Sequence, residues 1–370
     1  MKQTEYLIIG AGIVGCATAY FLARQNKKVL IVDRTYPCNE ASGVNAGGLE
    51  LLQQPPLSLP LHKEAAELWN RFQNEDGIDV GYHRVGGIYA ILKQEDLHLL
   101  DEQEERFKKN GLSVQRLNRA QVREKVPYIS SEHVLEANYS PVSGYANPLK
   151  AGRNILEAAK ENGAEFMDHQ LISKIEPTAD GNGYNVYSEN ETIRAEKILV
   201  SCGIRSPKLL DPLGVHIELE RHHNMVTVTE KAPHFLGHTF TTPTLTMKQT
   251  AEGSILIGGG REGYGDLETN RKDVSINNLC LNVREAESIL PSLGKLNILR
   301  SWSGFEGFTP ERLPYLGEIK KYPGVFYAVT GFCGFAIGPA VARHASRMLT
   351  GEEKSQKGSA RELGGWICPE

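Results

Sequence analysis

The residues best arranged for chemistry stand at the start of the chain. Gly10-Ala11-Gly12-Ile13-Val14-Gly15 follows the apolar run Tyr6-Leu7-Ile8-Ile9, and Asp33 stands eighteen residues after Gly15. In a nucleotide site each glycine has a task. Gly10 permits a tight turn, Gly12 lets a pyrophosphate approach the backbone, and Gly15 lets a helix pack close to a strand. A helix starting at Ile13 and Val14 offers unpaired N–H groups and a partial positive charge to phosphates. Asp33, followed by Arg34, can accept from ribose hydroxyls, and its charge argues against a 2′-phosphate. The competing reading is a tight turn in an ordinary α/β protein.

The elements around these residues read in the order such a site requires. Tyr6–Ile9 is a buried strand, a helix reaches to about Gln25, and Lys28–Val32 is a second strand ending on Asp33. A second small-residue cluster, Ser42-Gly43-Val44-Asn45-Ala46-Gly47-Gly48-Leu49, lets backbone lie against a flat ligand and present N–H groups in a concavity. Its alternative is a flexible loop. Further on, Leu61–Phe72 and Leu149–Asn162 read as helices, and 94–109 as a surface helix. Val85–Ile91 reads as a strand of a different sheet. Glu165–Met167, Leu171–Ile175, a hairpin of Tyr184–Tyr187 with Thr192–Arg194, and Lys197–Gly203 follow as strands. Thr244–Gln249 and Ser254–Gly258 read as an antiparallel pair. Val274–Leu290 reads as a helix and Asn297–Trp302 as a strand. A strand over 325–329 meets a glycine turn, with a helix from about Gly338 to Leu349, and residues 352–370 read as a loose tail.

The totals set bounds. A chain of 370 residues exceeds one small core and suggests about two domains. The net charge of −4, without long charge runs, implies no nucleic-acid partner. The N-terminus enters a strand by Tyr6, leaving no room for a signal peptide. No apolar run approaches the roughly 20 residues that span a bilayer. The six cysteines are scattered, with no CxxC pair, so the expectation is a reducing, cytoplasmic setting and no metal.

Gly10–Asp33 followed by Ser42–Gly48 resembles the FAD-dependent D-amino-acid oxidase superfamily. That group includes glycine oxidase, sarcosine oxidase and the β-type subunits of heteromeric amine, proline and hydroxyproline dehydrogenases. Two later runs resemble its C-terminal signature, Trp302–Gly317 and Gly324–Pro339. The resemblance implies an α/β (overall α+β) fold with a Rossmann-like FAD-binding domain and an interleaved substrate domain on a mixed or antiparallel sheet. The implied FAD-binding parts are 1–80, 145–215 and 318–355, the substrate parts 81–144 and 216–317, with a tail at 356–370. It further implies non-covalent FAD, its AMP half on Gly10–Gly15 and Asp33 and its ring near Ser42–Gly48. Ser201, Cys202 and Gly203 would approach the ADP portion. Gly331, Phe332, Gly334, Phe335, Ala336 and Ile337 would form a second glycine turn and helix start aimed at the ring. The implied reaction is hydride transfer from a C–H bond beside nitrogen to flavin N5, with the imine hydrolysing in water. The substrate would be a small amine or amino acid: glycine, sarcosine, a D-amino acid or a proline-like compound.

The substrate anchors are where the chain departs from the family. The arginine that relatives use to hold a carboxylate is matched by Glu306, and their companion tyrosine by Thr246 or a neighbour. The arginine after the second glycine cluster in sarcosine oxidase is matched by Glu50, and its late lysine by Gly338. One reading gives the clamp to another cation, among Arg84, Arg221, His222, His223, Lys248 and Arg261. Another lets Glu50 and Glu306 face the site and favour a cationic amine or a distal amine, and a third leaves Glu306 a simple surface or ion-paired residue. Lys248 resembles the lysine that passes electrons to oxygen in sarcosine oxidase; its competing reading is a solvated strand lysine. Cys333 reads as a small packing residue. The alternatives to an amine oxidase or dehydrogenase are a 2-hydroxy-acid dehydrogenase of the same superfamily and a flavin-binding β-type subunit active only in a heteromeric complex. A partner subunit or homo-oligomer fits either amine reading.

Overall fold

In the computed structural model, residues 1–354 are described. The expected tail 356–370 lies outside them, as does Cys368. Two eight-stranded sheets carry most of the chain. The first runs in the order Tyr315–Glu318, Val325–Val329, Thr192–Val200, Lys2–Ile9, Val29–Val32, Glu165–Met167. All of these neighbours pair in parallel except the outermost, Tyr315–Glu318. Val29–Val32, Val325–Val329 and the C-terminal ends of Lys2–Ile9 and Thr192–Val200 are apolar without alternation because both faces are covered there. Ile8 packs under the helices Ile13–Ala23, Leu59–Asn74, Pro148–Glu161 and Gly334–Thr350. Leu7 packs into the opposite core with Val186, Leu210 and Leu213.

Thr192–Arg194 is not a separate hairpin arm. It opens the single strand Thr192–Val200, whose one edge takes Tyr184–Ser188 antiparallel and then Val325–Val329 parallel. The switch of neighbour along one edge is what made one strand read as two.

The second sheet runs Ile298–Phe308, Glu220–Lys231, Ser254–Gly258, Thr246–Gln249, Thr239–Thr241, Gly87–Ile91, Glu136–Ser140, Gln115–Asn118. It is antiparallel except where Thr239–Thr241 meets Gly87–Ile91. The expected pair is present, with Lys248 opposite Leu256. The strand read as ending at Trp302 continues to Phe308, and its ladder sets Glu306 opposite His222. Glu306 therefore projects from a sheet.

The last helix starts at Gly334, four residues before the expected Gly338, and holds Pro339 inside it. Pro339 lacks one helical hydrogen bond. Burial of Phe335, Ile337 and Val341 in the helical layer offsets that loss. Among the described residues no helix is long and apolar enough to cross a membrane, and no group of three or more His, Cys, Asp or Glu could hold a metal.

Candidate active site

A cleft of ≈ 360 Å³ opens at the carboxyl ends of four parallel strands, bordered by Ile9–Gly10, Val32–Asp33, Ser201–Cys202 and Val329–Thr330. This is where an open α/β sheet places its ligands. The turn at its floor is built from backbone clearances. Gly10 has φ +104, and a Cβ there would stand 2.6 Å from the Ser201 carbonyl oxygen. Any side chain on Gly15 would collide with the Gly10 carbonyl. Asp33 is shared between turns: Oδ2 accepts from Ala11 N at 2.7 Å and Oδ1 from Thr35 N at 2.8 Å. Ser42 Oγ accepts from Ile13 N at 3.0 Å, tying the second glycine cluster to the first helix.

That second cluster is held rather than loose. It begins as a one-turn helix, Ala41–Val44. Asn45 donates to the Ala41 and Ser42 carbonyls at 2.8 and 3.0 Å and accepts from Gly47 N at 2.7 Å. Trp302 Nε1 donates to the Val44 carbonyl at 2.6 Å, fastening the cluster to the second sheet.

The expected cofactor residues divide three ways. Gly10, Gly12, Ile13, Val14, Asp33, Arg34 and Ser42 line the cleft, as do Ser201, Cys202, Gly203, Phe332, Gly334 and Phe335. Asn45, Ala46 and Gly48 line a second cavity instead. Gly15, Gly47, Leu49, Gly331, Ala336 and Ile337 line neither and act as packing beneath the walls. Two helix N-termini, at Ile13 and Gly334, border the same cleft. A dinucleotide with an anionic pyrophosphate fits this cradle: a clear path at Gly12, donors at both ends, and an acid at the ribose position. Among the described residues the thiols are free. Burial pushes the Cys333 thiol up to about 12, so it stays protonated beside the cleft.

The second cavity, ≈ 630 Å³, shares Glu306, Phe308, Phe332 and Cys333 with the first. Its wall also holds Glu50 and Lys248. Glu50 is 7% exposed; it accepts from the Thr239 hydroxyl, while its Oε2 is buried without a partner. Burial raises its carboxyl to about 7, against hydrogen bonds from Thr239 and Ser143. Glu306 Oε2 accepts from Asn224 Nδ2 at 2.6 Å. Burial raises its carboxyl as well, against Asn224 and His222. Lys248 is not solvated: it is 5% exposed, and its Nζ donates to the Ala146 carbonyl at 3.4 Å. Burial lowers its amine to about 7, with Glu252 opposing.

The other cations considered from sequence sit apart or are engaged. Arg84 donates to the Pro141 carbonyl at 3.1 Å, and Arg261 pairs with Glu285 at 2.8 Å. Arg221 is exposed. None of these three, nor His223, lines the cavity, whereas His222 does. Two arginines on the wall were missed, Arg106 and Arg312. Arg106 belongs to a helix that reads as wholly superficial, and no pattern marks it. Arg312 lies inside the late signature run, where it is the single arginine of a Thr-Pro-Glu-Arg turn.

Three comparisons bear on this geometry. A family model described as FAD dependent oxidoreductase, DAO, matches residues 5–348. An opine oxidase subunit of Rhizobium meliloti is 28% identical over 340 residues, covering 88% of each chain. Among solved structures, L-proline dehydrogenase from P. horikoshii superposes with a TM-score of 0.87 at 21% identity over 95% of both chains. Glycine oxidase from Geobacillus kaustophilus does so with 0.88 at 20% identity over the full length of both. The chain is therefore an enzyme of the DAO family of FAD-dependent oxidoreductases.

Proposed function

We propose that this enzyme oxidises the C–N bond of a small amine or amino acid in the second cavity. The carrying observation is the wall common to both cavities, Glu306, Phe308, Phe332 and Cys333. A substrate there lies against the cofactor cleft. FAD, when bound, supplies the two-electron acceptor for the C–H bond beside nitrogen. The protein's part is binding and proton handling. An ammonium substrate must shed a proton before its nitrogen lone pair can assist C–H cleavage. Glu50, whose carboxyl burial raises to about 7, has the basicity for that transfer near neutral pH. Glu306, held by Asn224, adds a second carboxylate that favours a cationic nitrogen. Residues 10–15, Asp33 and Ser42 would hold the nucleotide half, and Phe332–Phe335 the ring end.

Anaerobic bleaching of the bound flavin against amines, amino acids and hydroxy acids tests this reading. Amines and amino acids are expected to bleach it. Bleaching by hydroxy acids alone, or by dithionite alone, overturns it. The Glu306→Gln variant is expected to shift preference from cationic toward neutral substrates; unchanged preference removes Glu306 from that role.

A second reading rests on the likeness to the opine oxidase chain over 88% of each. In it, this chain binds flavin but turns over only in complex with a second, different chain. Purified protein that is yellow and turns over glycine, sarcosine or D-proline unaided excludes it.

A further inference from the structure

Four potentially cationic side chains reach the wall of the second cavity: Arg106, His222, Lys248 and Arg312. Three have other commitments. Arg106 donates to the Gln54 and Leu52 carbonyls at 2.9 and 3.1 Å. His222 Nδ1 stands 2.6 Å from Glu262, and its ring stacks on Phe308. Lys248 is buried against Tyr145 and the Ala146 carbonyl. Arg312 differs: among the described residues its guanidinium forms no hydrogen bond and no ion pair.

The position of Arg312 is built. Its backbone has φ +56, a left-handed conformation that costs an arginine energy and persists only where surroundings enforce it. Here Thr309 enforces it. The Thr309 carbonyl accepts from Arg312 N at 2.9 Å, and Thr309 Oγ1 accepts from Leu313 N at 3.0 Å and donates to its carbonyl at 2.8 Å. The guanidinium carbon then lies 5.1 Å from the Phe332 ring centroid and 5.6 Å from that of Phe308. Both rings belong to the wall shared by the two cavities. Arg312 is exposed while also lining the cavity, which puts it at the mouth. Arg312 shares that cavity wall with the two carboxylates Glu50 and Glu306 and with the Cys333 thiol.

We propose that Arg312 binds the substrate's carboxylate at the mouth of the second cavity, so that the substrate is an amine bearing a carboxylate and not a plain amine. The inference rests on the amine reading given above. A planar fork over two aromatic faces suits bidentate carboxylate recognition. A zwitterion complements this wall, with its carboxylate at Arg312 and its nitrogen toward Glu306 and Glu50.

The test uses the FAD-loaded enzyme and Arg312→Gln, with Arg312→Gly as a second variant because glycine accepts the left-handed backbone without strain. FAD content and circular dichroism check folding. Pyrrole-2-carboxylate, which has no oxidisable C–H bond at the ring carbon bearing its carboxylate, is titrated by perturbation of the flavin spectrum. Proline is compared with pyrrolidine, and sarcosine with dimethylamine, as substrates. Both variants are expected to bind pyrrole-2-carboxylate about tenfold or more weakly. KM for the carboxylated substrates is expected to rise by a similar factor, with kcat little changed, and Arg312→Lys to recover part of the loss. Affinities unchanged in folded variants overturn the anchor while leaving amine oxidation standing. Wild-type enzyme that binds no carboxylate and prefers the plain amines overturns it too. Carboxylate binding that depends on Arg312 in an enzyme bleached by no amine instead removes the amine reading and keeps the anchor.

Discussion

The Lys248 amino group lies 4.4 Å from the centroid of the Tyr145 ring, and among the described residues no carboxylate pairs with it. A buried lysine without an ion-pair partner loses its proton more easily than in water. The amine is lowered from 10.5 to about 7 by burial, with Glu252 the opposing influence.

This sets a slope of stability against pH. Between about pH 7 and pH 10.5 the unfolded lysine is protonated and the folded one is not. Stability therefore rises with pH across that window, and the full penalty applies below about 7. Lys248→Met is expected to flatten that rise and to stabilise the fold below about pH 7 by up to ~5 kcal/mol. Urea denaturation at several pH values, with matched FAD content, measures it. Parallel curves for variant and wild type would mean the amine is charged in the fold.

Gly12 and Gly15 separate cofactor binding from folding. A Cβ on Gly12 meets only Ser42 Oγ, at 3.1 Å, and the backbone there has a negative φ. Gly12→Ala is expected to fold with a smaller loss of stability than Gly15→Ala, since only Ser42 Oγ must give by a few tenths of an ångström, and to purify colourless. A Cβ on Gly15 collides with the Gly10 carbonyl, which cannot move without opening the turn. Gly15→Ala is expected to lower the melting temperature of the apoprotein as well as its FAD content. Equal FAD retention by Gly12→Ala and wild type would show that no phosphate crosses Gly12.

The contrast between these glycines and the substrate wall explains what sequence could reveal. Gly10, Gly12, Gly15 and Asp33 lie within one strand-turn-helix-strand unit, so their spacing along the chain is their spacing in the fold. Thr246–Gln249 pairing with Ser254–Gly258 was legible for the same reason. Glu50 and Thr239, by contrast, meet across 189 residues, and their contact depends on a parallel pairing with Gly87–Ile91 that no local pattern encodes. Arg312 is placed by a left-handed turn whose requirement is tertiary. Lys248 has the type of a surface strand residue and becomes buried only because Tyr145 and Gly47 close over it.

His344 ties the last helix to the helix Leu59–Asn74. Its Nδ1 lies 2.8 Å from Glu353 and its Nε2 3.2 Å from Glu64. Burial works against the charged ring, but the hydrogen bonds it donates to Glu353 and Glu64 outweigh that and raise the imidazolium to about 9. The folded state holds this proton more tightly than the unfolded one. Its stabilisation is fully present below about 6.5 and is lost as pH rises through about 9. That slope opposes the Lys248 slope over part of the same range. His344→Gln is expected to remove up to ~3 kcal/mol near pH 6 and to cost little near pH 10. Equal losses at both pH values would point to packing rather than charge.

Glu50 offers the sharpest separation of stability from activity. The Thr239 hydroxyl and Ser143 support the charged carboxylate, yet burial dominates and raises the group from 4.5 to about 7. Between those values the folded carboxyl keeps a proton that the unfolded one has lost, so stability falls as pH rises toward about 7 and then levels. Glu50→Gln keeps an oxygen for Thr239 and cannot ionise. The variant is expected to be more stable than wild type above about pH 7, by up to ~3 kcal/mol. If Glu50 takes the substrate's proton, the same change lowers kcat/KM by about 10² or more and abolishes an acidic limb near pH 7. Gain of stability with loss of that limb is the expected pair. A variant that gains stability and retains both rate and profile would leave Glu50 as a strained neighbour of the substrate, with proton transfer assigned to Glu306 or to solvent.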